Sequence, residues 1–160
     1  MTEQEFQNEL ETRVQQTEEV IRRFLPAEEG YARTVMEAMN YSVLAGGKRL
    51  RPLFLKETAS MYGARQELAE PFMAALEMIH TYSLVHDDLP AMDNDEFRRG
   101  RKTTWAVYGD GMAVIAGDGL LNYAYETAIT AYDAAANEDE KDRVFEALRI
   151  LAGNAGIYGM

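Results

Sequence analysis

The sequence contains no cysteine. That excludes disulfides, thiolate nucleophiles, cysteine-ligated zinc and iron–sulfur clusters, and it fits a reducing compartment. Positive charge is scarce. Sixteen Lys and Arg stand against 27 Asp and Glu, a net charge of −11. A surface of that sign repels nucleic acid and anionic lipid unless basic residues are concentrated locally. Long hydrophobic runs are also missing, because stretches such as 112–116 are far too short to span a bilayer. The segment MTEQEFQNEL at the start is acidic and polar, unlike a signal or transit peptide. The expectation is a soluble cytoplasmic protein. β-Branched aliphatics are few: Val and Ile total 14, against 22 Ala and 23 Leu plus Met. That bias favours helix over strand, and no segment alternates as a half-buried strand does.

What is present is helical spacing. Phe6, Leu10, Val14, Thr17, Ile21 and Phe24 keep one face until Pro26 ends the helix. Tyr31, Val35, Met39 and Val43 predict a second helix, closed by Gly46-Gly47. A third starts near Pro52 and runs to Met61. A fourth carries Leu68, Phe72, Leu76, Ile79 and Ser83 and reaches Asp87. Asp118 reads as the N-cap of a fifth, and a last helix begins near Asn137. With no repeat and no linker, the expectation is one all-α domain over 1–160, long enough to bury roughly 70% of its unfolded surface. Gly153, Gly156 and Gly159 recur every third residue, a spacing that lets helices approach closely. No closing cap follows them, so the chain reads as stopping inside an element.

The densest chemistry lies in HDDLPAMDNDEFRRGRK, residues 86–102. Asp87, Asp88, Asp93, Asp95 and Glu96 place five acids within ten residues, and Arg98, Arg99, Arg101 and Lys102 follow. Such carboxylates are costly to hold together unless cations neutralise them. Hard oxygen ligands select magnesium or calcium, and the spacing fails the calcium-loop pattern. On a straight helix Asp87 and Asp93 point about 240° apart. Pro90 breaks the helix between them, which lets Asp93 fold back toward the last turn. The plainer alternative is a solvated acidic loop at a helix end. Carboxylates there oppose the helix dipole, which favours the metal reading.

A second motif is GGKRLRP at 46–52. It is not a P-loop. Its glycines still admit an anion close to the backbone, with Lys48 and Arg51 three apart on one helical side. A glycine cap followed by ordinary cations fits these residues equally. His80 lies seven residues before Asp87, in nearly the same helical direction, and reads either as a helix-face histidine or as part of the site. His86 directly precedes the acids. Tyr82, on the same helix, reads as a core aromatic by periodicity. Together, anion-binding cations and a carboxylate cluster describe a diphosphate site in which a metal bridges acid and phosphate.

GGKRLRP, EMIHTYSLVHDDLPAMDNDEFRRGRKTTW at 77–105 and IAGDGLL at 115–121 carry a family resemblance. The chain resembles the N-terminal half of the trans-isoprenyl diphosphate synthases (polyprenyl synthetases), most closely the bacterial farnesyl diphosphate synthases. The resemblance implies an all-α isoprenoid synthase helical bundle around a deep apolar cavity, usually a homodimer. It implies Mg²⁺ as cofactor, with Asp87 and Asp93 as metal ligands and Asp88 supporting them. Lys48, Arg51, His80 and Arg99 correspond to the isopentenyl diphosphate site and Arg98 to an allylic diphosphate contact. Tyr82 matches the aromatic that closes the floor of the elongation pocket. The implied reaction condenses isopentenyl diphosphate with dimethylallyl or geranyl diphosphate, by metal-assisted ionisation, to give farnesyl diphosphate. No side-chain nucleophile is needed for that, which fits the absence of cysteine.

Family members run to nearly twice this length, and their second aspartate-rich motif lies downstream. These 160 residues alone are therefore expected not to turn over. A class I terpene cyclase shares the acids but not GGKRLRP and His80. A helical pyrophosphohydrolase would show ExxE ligand pairs. A noncatalytic subunit of a heteromeric synthase, or a longer-chain geranylgeranyl diphosphate synthase, stays open as an alternative.

Overall fold

Thr2 opens the first helix with a reciprocal cap: its hydroxyl accepts from the Glu5 N–H at 3.2 Å, and the Glu5 carboxylate accepts from the Thr2 N–H at 2.7 Å. Helix α1 spans Glu3–Arg23, with acids in its first turn and Arg22 and Arg23 in its last, each favoured by the helix dipole. The computed structural model describes residues 2–159. The helices that follow are α2 (Arg33–Val43), α3 (Leu50–Met61), α4 (Gln66–Asp87), a short α5 (Thr104–Tyr108), α6 (Asp110–Ile129) and α7 (Glu138–Ala155). A two-residue hairpin, β1 (Phe97–Arg98) with β2 (Arg101–Lys102), separates α4 from α5. The fold is all-α.

The chain forms two compact units. The first comprises Met1–Phe24, Gly47–Glu77 and Thr127–Met160. It buries Val20 and Ile21 of α1, Leu53 of α3, Phe72 and Met73 of α4, and Val144 of α7. Each such side chain contributes about 1.5–3 kcal/mol by leaving water. Helix α7 is capped by the Asn137 side chain, which accepts from the Glu140 N–H at 3.0 Å. Glu140 in turn accepts from Arg65 at 2.7 and 3.0 Å and from the Ala136 N–H at 2.7 Å. Those bonds hold its carboxyl down to about 2. An apolar cavity of about 440 Å³ opens between α3, the start of α4 and α7, lined by residues such as Leu55, Leu68, Phe72 and Leu151.

The second unit comprises Leu25–Gly46 and Met78–Glu126. Its buried side chains include Met39 and Val43 of α2, Met78, Tyr82 and Val85 of α4, and Leu120 of α6. Helix α6 differs from the sequence expectation. It starts at Asp110, behind Gly109 with φ +86°, so Asp118 is an exposed mid-helix residue and not a cap. The glycines on either side of Asp118 are needed for close packing. A Cβ on Gly117 would stand 2.1 Å from Nε2 of His86, and one on Gly119 would stand 3.0 Å from the sulfur of Met39. Tyr31 likewise lies outside α2, fully exposed. Gly153 does not serve a close helix contact, since a Cβ there would meet nothing within 4 Å.

Candidate diphosphate and metal site

Helix α4 ends at Asp87, three residues before Pro90. The chain then turns back on the helix end. The Asp93 N–H donates to the Asp87 carbonyl at 2.8 Å, and the Asp95 N–H donates to the Asp88 carbonyl at 3.1 Å. Two otherwise unpaired carbonyls at the helix C-terminus are thereby satisfied. The loop also brings Asp93 and Asp87 together through the backbone.

The adjacent acids have different fates. Asp88 is buried and accepts a forked hydrogen bond from Arg98, with Nε at 2.9 and 3.0 Å and Nη2 at 2.7 Å. A planar guanidinium gripped along one edge is fixed in orientation as well as position. The Asp88 hydrogen bond, with the charges of Asp88, Asp95 and Asp87, outweighs burial and raises the Arg98 pKa above its ordinary value. Asp87 is half-buried and Asp93 exposed, and neither forms an ion pair among the described residues. Two uncommitted carboxylates at one bend suit a hard divalent cation whose remaining positions go to water and phosphate oxygens. Among the described residues no three acid or imidazole side chains converge on one point.

Arg99 follows on the hairpin. It is exposed, sits in the left-handed region at φ +54°, and donates to the Gly46 carbonyl past the end of α2. His86 is clamped from α6: its Nε2 lies 3.2 Å from the Val114 carbonyl and 3.8 Å from Asp118, and its ring meets Tyr82 edge-on at 5.8 Å. Tyr82 is 7% exposed, a buried aromatic five residues ahead of Asp87. His80 is half-buried on the same helix, and its carbonyl accepts from the Ser83 hydroxyl.

Lys48 and Arg51 belong to the first unit and are exposed, with no ion pair among the described residues. Between them Arg49 does the reverse. It occupies the left-handed region at φ +49° as the cap of α3, and it is buried. It donates to Glu18 and to Glu77, each at 2.6 Å. Burial works against its charge, yet the two glutamates outweigh it and hold the guanidinium above its ordinary pKa. Sequence reasoning missed this role. The one signal in the sequence is that Lys48 and Arg51, three apart, share a helical side that Arg49 does not. None of the site residues named from the sequence lines the 440 Å³ cavity.

The family model for polyprenyl synthetase matches residues 32–153. A farnesyl diphosphate synthase of Geobacillus stearothermophilus is 44% identical over 143 residues, which is 89% of this chain and 48% of that protein. A heterodimeric geranylgeranyl pyrophosphate synthase large subunit of Arabidopsis thaliana is 44% identical over 126 residues, 79% of this chain and 32% of that one. Among solved structures, a geranyltransferase from Legionella pneumophila superimposes with a TM-score of 0.87 at 30% identity, covering 98% of this chain and 54% of that chain. An FPP/GFPP synthase from Zymomonas mobilis gives 0.79 at 35% identity, covering 96% and 55%. The chain thus spans half or less of the length of the curated relatives it matches.

Proposed function

We propose that this chain, which belongs to the polyprenyl synthetase family, carries the first-motif machinery of a trans-prenyltransferase joining isopentenyl diphosphate to an allylic diphosphate. The observation that carries the reading is the division of labour at the end of α4. Asp88 fixes Arg98, while Asp87 and Asp93 stay uncommitted. Arg98 keeps its Nη1 without a hydrogen bond among the described residues, so an oriented donor is available to the allylic diphosphate. Asp87 and Asp93 would hold Mg²⁺. Bound magnesium would neutralise charge on the departing diphosphate. Lys48, Arg51, His80 and Arg99 are assigned to isopentenyl diphosphate, in keeping with the exposure of the first two. Tyr82 is assigned to the floor of the chain-elongation pocket, and its burial suits a fixed wall. Farnesyl diphosphate is the proposed product, and a homodimer the proposed assembly.

Geranylgeranyl synthases among the relatives favour a second reading, a longer product. Prenyl transfer from radiolabelled isopentenyl diphosphate, with product length resolved, separates the two. Calorimetry with pyrophosphate, with and without magnesium, tests the site itself. Affinity should rise with magnesium in the native chain and not in Asp87→Asn. An equal response in both proteins sinks the metal assignment.

A further inference from the structure

We propose that Tyr41 is a positioning residue: it latches the arginine hairpin onto the end of α2 and so presets Arg98 and Arg99 for a diphosphate. The role toward diphosphate rests on the function proposed above. The latch itself stands on geometry.

The hairpin cannot hold itself. Each strand has two residues, with Phe97 opposite Lys102 and Arg98 opposite Arg101. An isolated ribbon of that length is not stable in water. Its turn residues, Arg99 and Gly100, both have positive φ, at +54° and +78°. This is the two-residue turn that favours Asn-Gly or Gly-Gly, and an arginine in its first position is strained. Something outside the hairpin must hold it.

Tyr41, in the last turns of α2, supplies three contacts at once. Its hydroxyl donates to the Lys102 carbonyl at 2.7 Å. Its ring face carries the Arg101 guanidinium at 4.1 Å, a cation–π contact. Its ring meets Tyr108 of α5 edge-on at 5.6 Å. Arg101, seated on that ring, also donates to the Leu44 carbonyl at 3.3 Å, and Arg99 donates to the Gly46 carbonyl. Both carbonyls lie at or beyond the C-terminal cap of α2, where cations are favoured. Asp88 fixes the hairpin from the α4 side, through Arg98. With both sides held, the arginines lose little freedom when an anion arrives, which is the advantage of preorganisation.

Two substitutions in the full chain separate this from general stability. Tyr41→Phe keeps both ring contacts and removes the hydroxyl. Ser42→Ala removes neighbouring α2 hydrogen bonds, the one its hydroxyl accepts from the Thr104 hydroxyl at 2.7 Å and the one it donates to the Ala38 carbonyl, without touching the arginines. Both are titrated with pyrophosphate and followed by amide hydrogen exchange across 97–102. Tyr41→Phe should bind pyrophosphate about fivefold more weakly, the order expected for one hydrogen bond, and exchange faster at the hairpin. Ser42→Ala should do neither. Equal affinities for the two variants overturn the positioning role, because a merely structural loss would affect both alike. If the native chain binds no pyrophosphate, the function proposed above fails, and the exchange data decide the latch alone. Faster exchange in Tyr41→Phe than in Ser42→Ala supports it, and matching rates overturn it.

Discussion

The Arg49 side chain is 1% exposed and donates to two glutamates, whereas the Arg98 side chain is 33% exposed and donates to one aspartate along one edge. Both arise in short basic motifs of an acidic chain, KRLR and RRGRK. The first has its charge fully answered from within the protein, so it anchors a turn and leaves Lys48 and Arg51 to face solvent. The second is held but only partly answered, so it keeps a donor for something from outside. An arginine's role in this fold is thus read from how many of its donors the protein itself engages, and not from its charge or its motif.

The strongest way to break that contrast is to remove each guanidinium. Arg49→Met should cost about 3–5 kcal/mol in urea unfolding, because Glu77, with a side chain 6% exposed, is left buried without its cation. Adding Glu77→Leu should return much of that loss, since a buried pair replaced by packed apolar side chains is often neutral. If Arg98→Met proves as destabilising as Arg49→Met, the contrast fails.

Next in size is Gly117→Ala, which drives a methyl group into the His86 ring. The clash should cost about 1–3 kcal/mol, the usual range for overpacking. It should also weaken magnesium-dependent pyrophosphate binding, because His86 adjoins Asp87. A thermal scan paired with calorimetry checks both effects, and a change in stability alone would confine Gly117 to packing.

Asp88→Asn sharpens the comparison from the acid side. The amide keeps the shape but loses the charge that grips Arg98. Pyrophosphate affinity should fall about tenfold, equivalent to about 1.4 kcal/mol, with and without magnesium. Asp87→Asn should remove only the magnesium-dependent part.

The smallest effect belongs to Arg65 and Glu140, a partly exposed pair that serves as a control for both arginines. The Arg65 and Ala136 hydrogen bonds lower the Glu140 carboxyl from 4.5 to about 2. Its folded pKa is depressed, so its contribution to stability is present above pH 4.5 and is lost as the pH falls toward about 2. Glu140→Gln should flatten the stability profile in that window and leave neutral-pH pyrophosphate binding unchanged. A steep acid limb surviving in the variant would assign it to another carboxylate.

Much of the helical framework was legible in the sequence because its signals are local. The period from Phe6 to Phe24, the Asn137 cap and the break at Pro90 each act within a few residues. The start of α6 was not legible. Gly117 and Gly119 look like helix breakers until His86 and Met39 are seen filling the space their missing side chains leave. At the site, the acids and bases could be named from spacing. Which of them engage one another could not: Glu18 and Glu77 lie 31 and 28 residues from Arg49, and Asp88 lies 10 from Arg98. Pairings over such separations come from tertiary packing, on which helical periodicity is silent.

The close seat of His86 on Gly117 has a spectroscopic consequence. The imidazole ring lies within contact distance of the Gly117 α-carbon, so its ring current bears directly on the two α-protons of that glycine. Their chemical shifts form a built-in gauge of the α4 terminus, readable without a label on any carboxylate or arginine. As ligand enters beside Asp87, any turn of the imidazole moves the Gly117 resonances, while a rigid ring leaves them fixed.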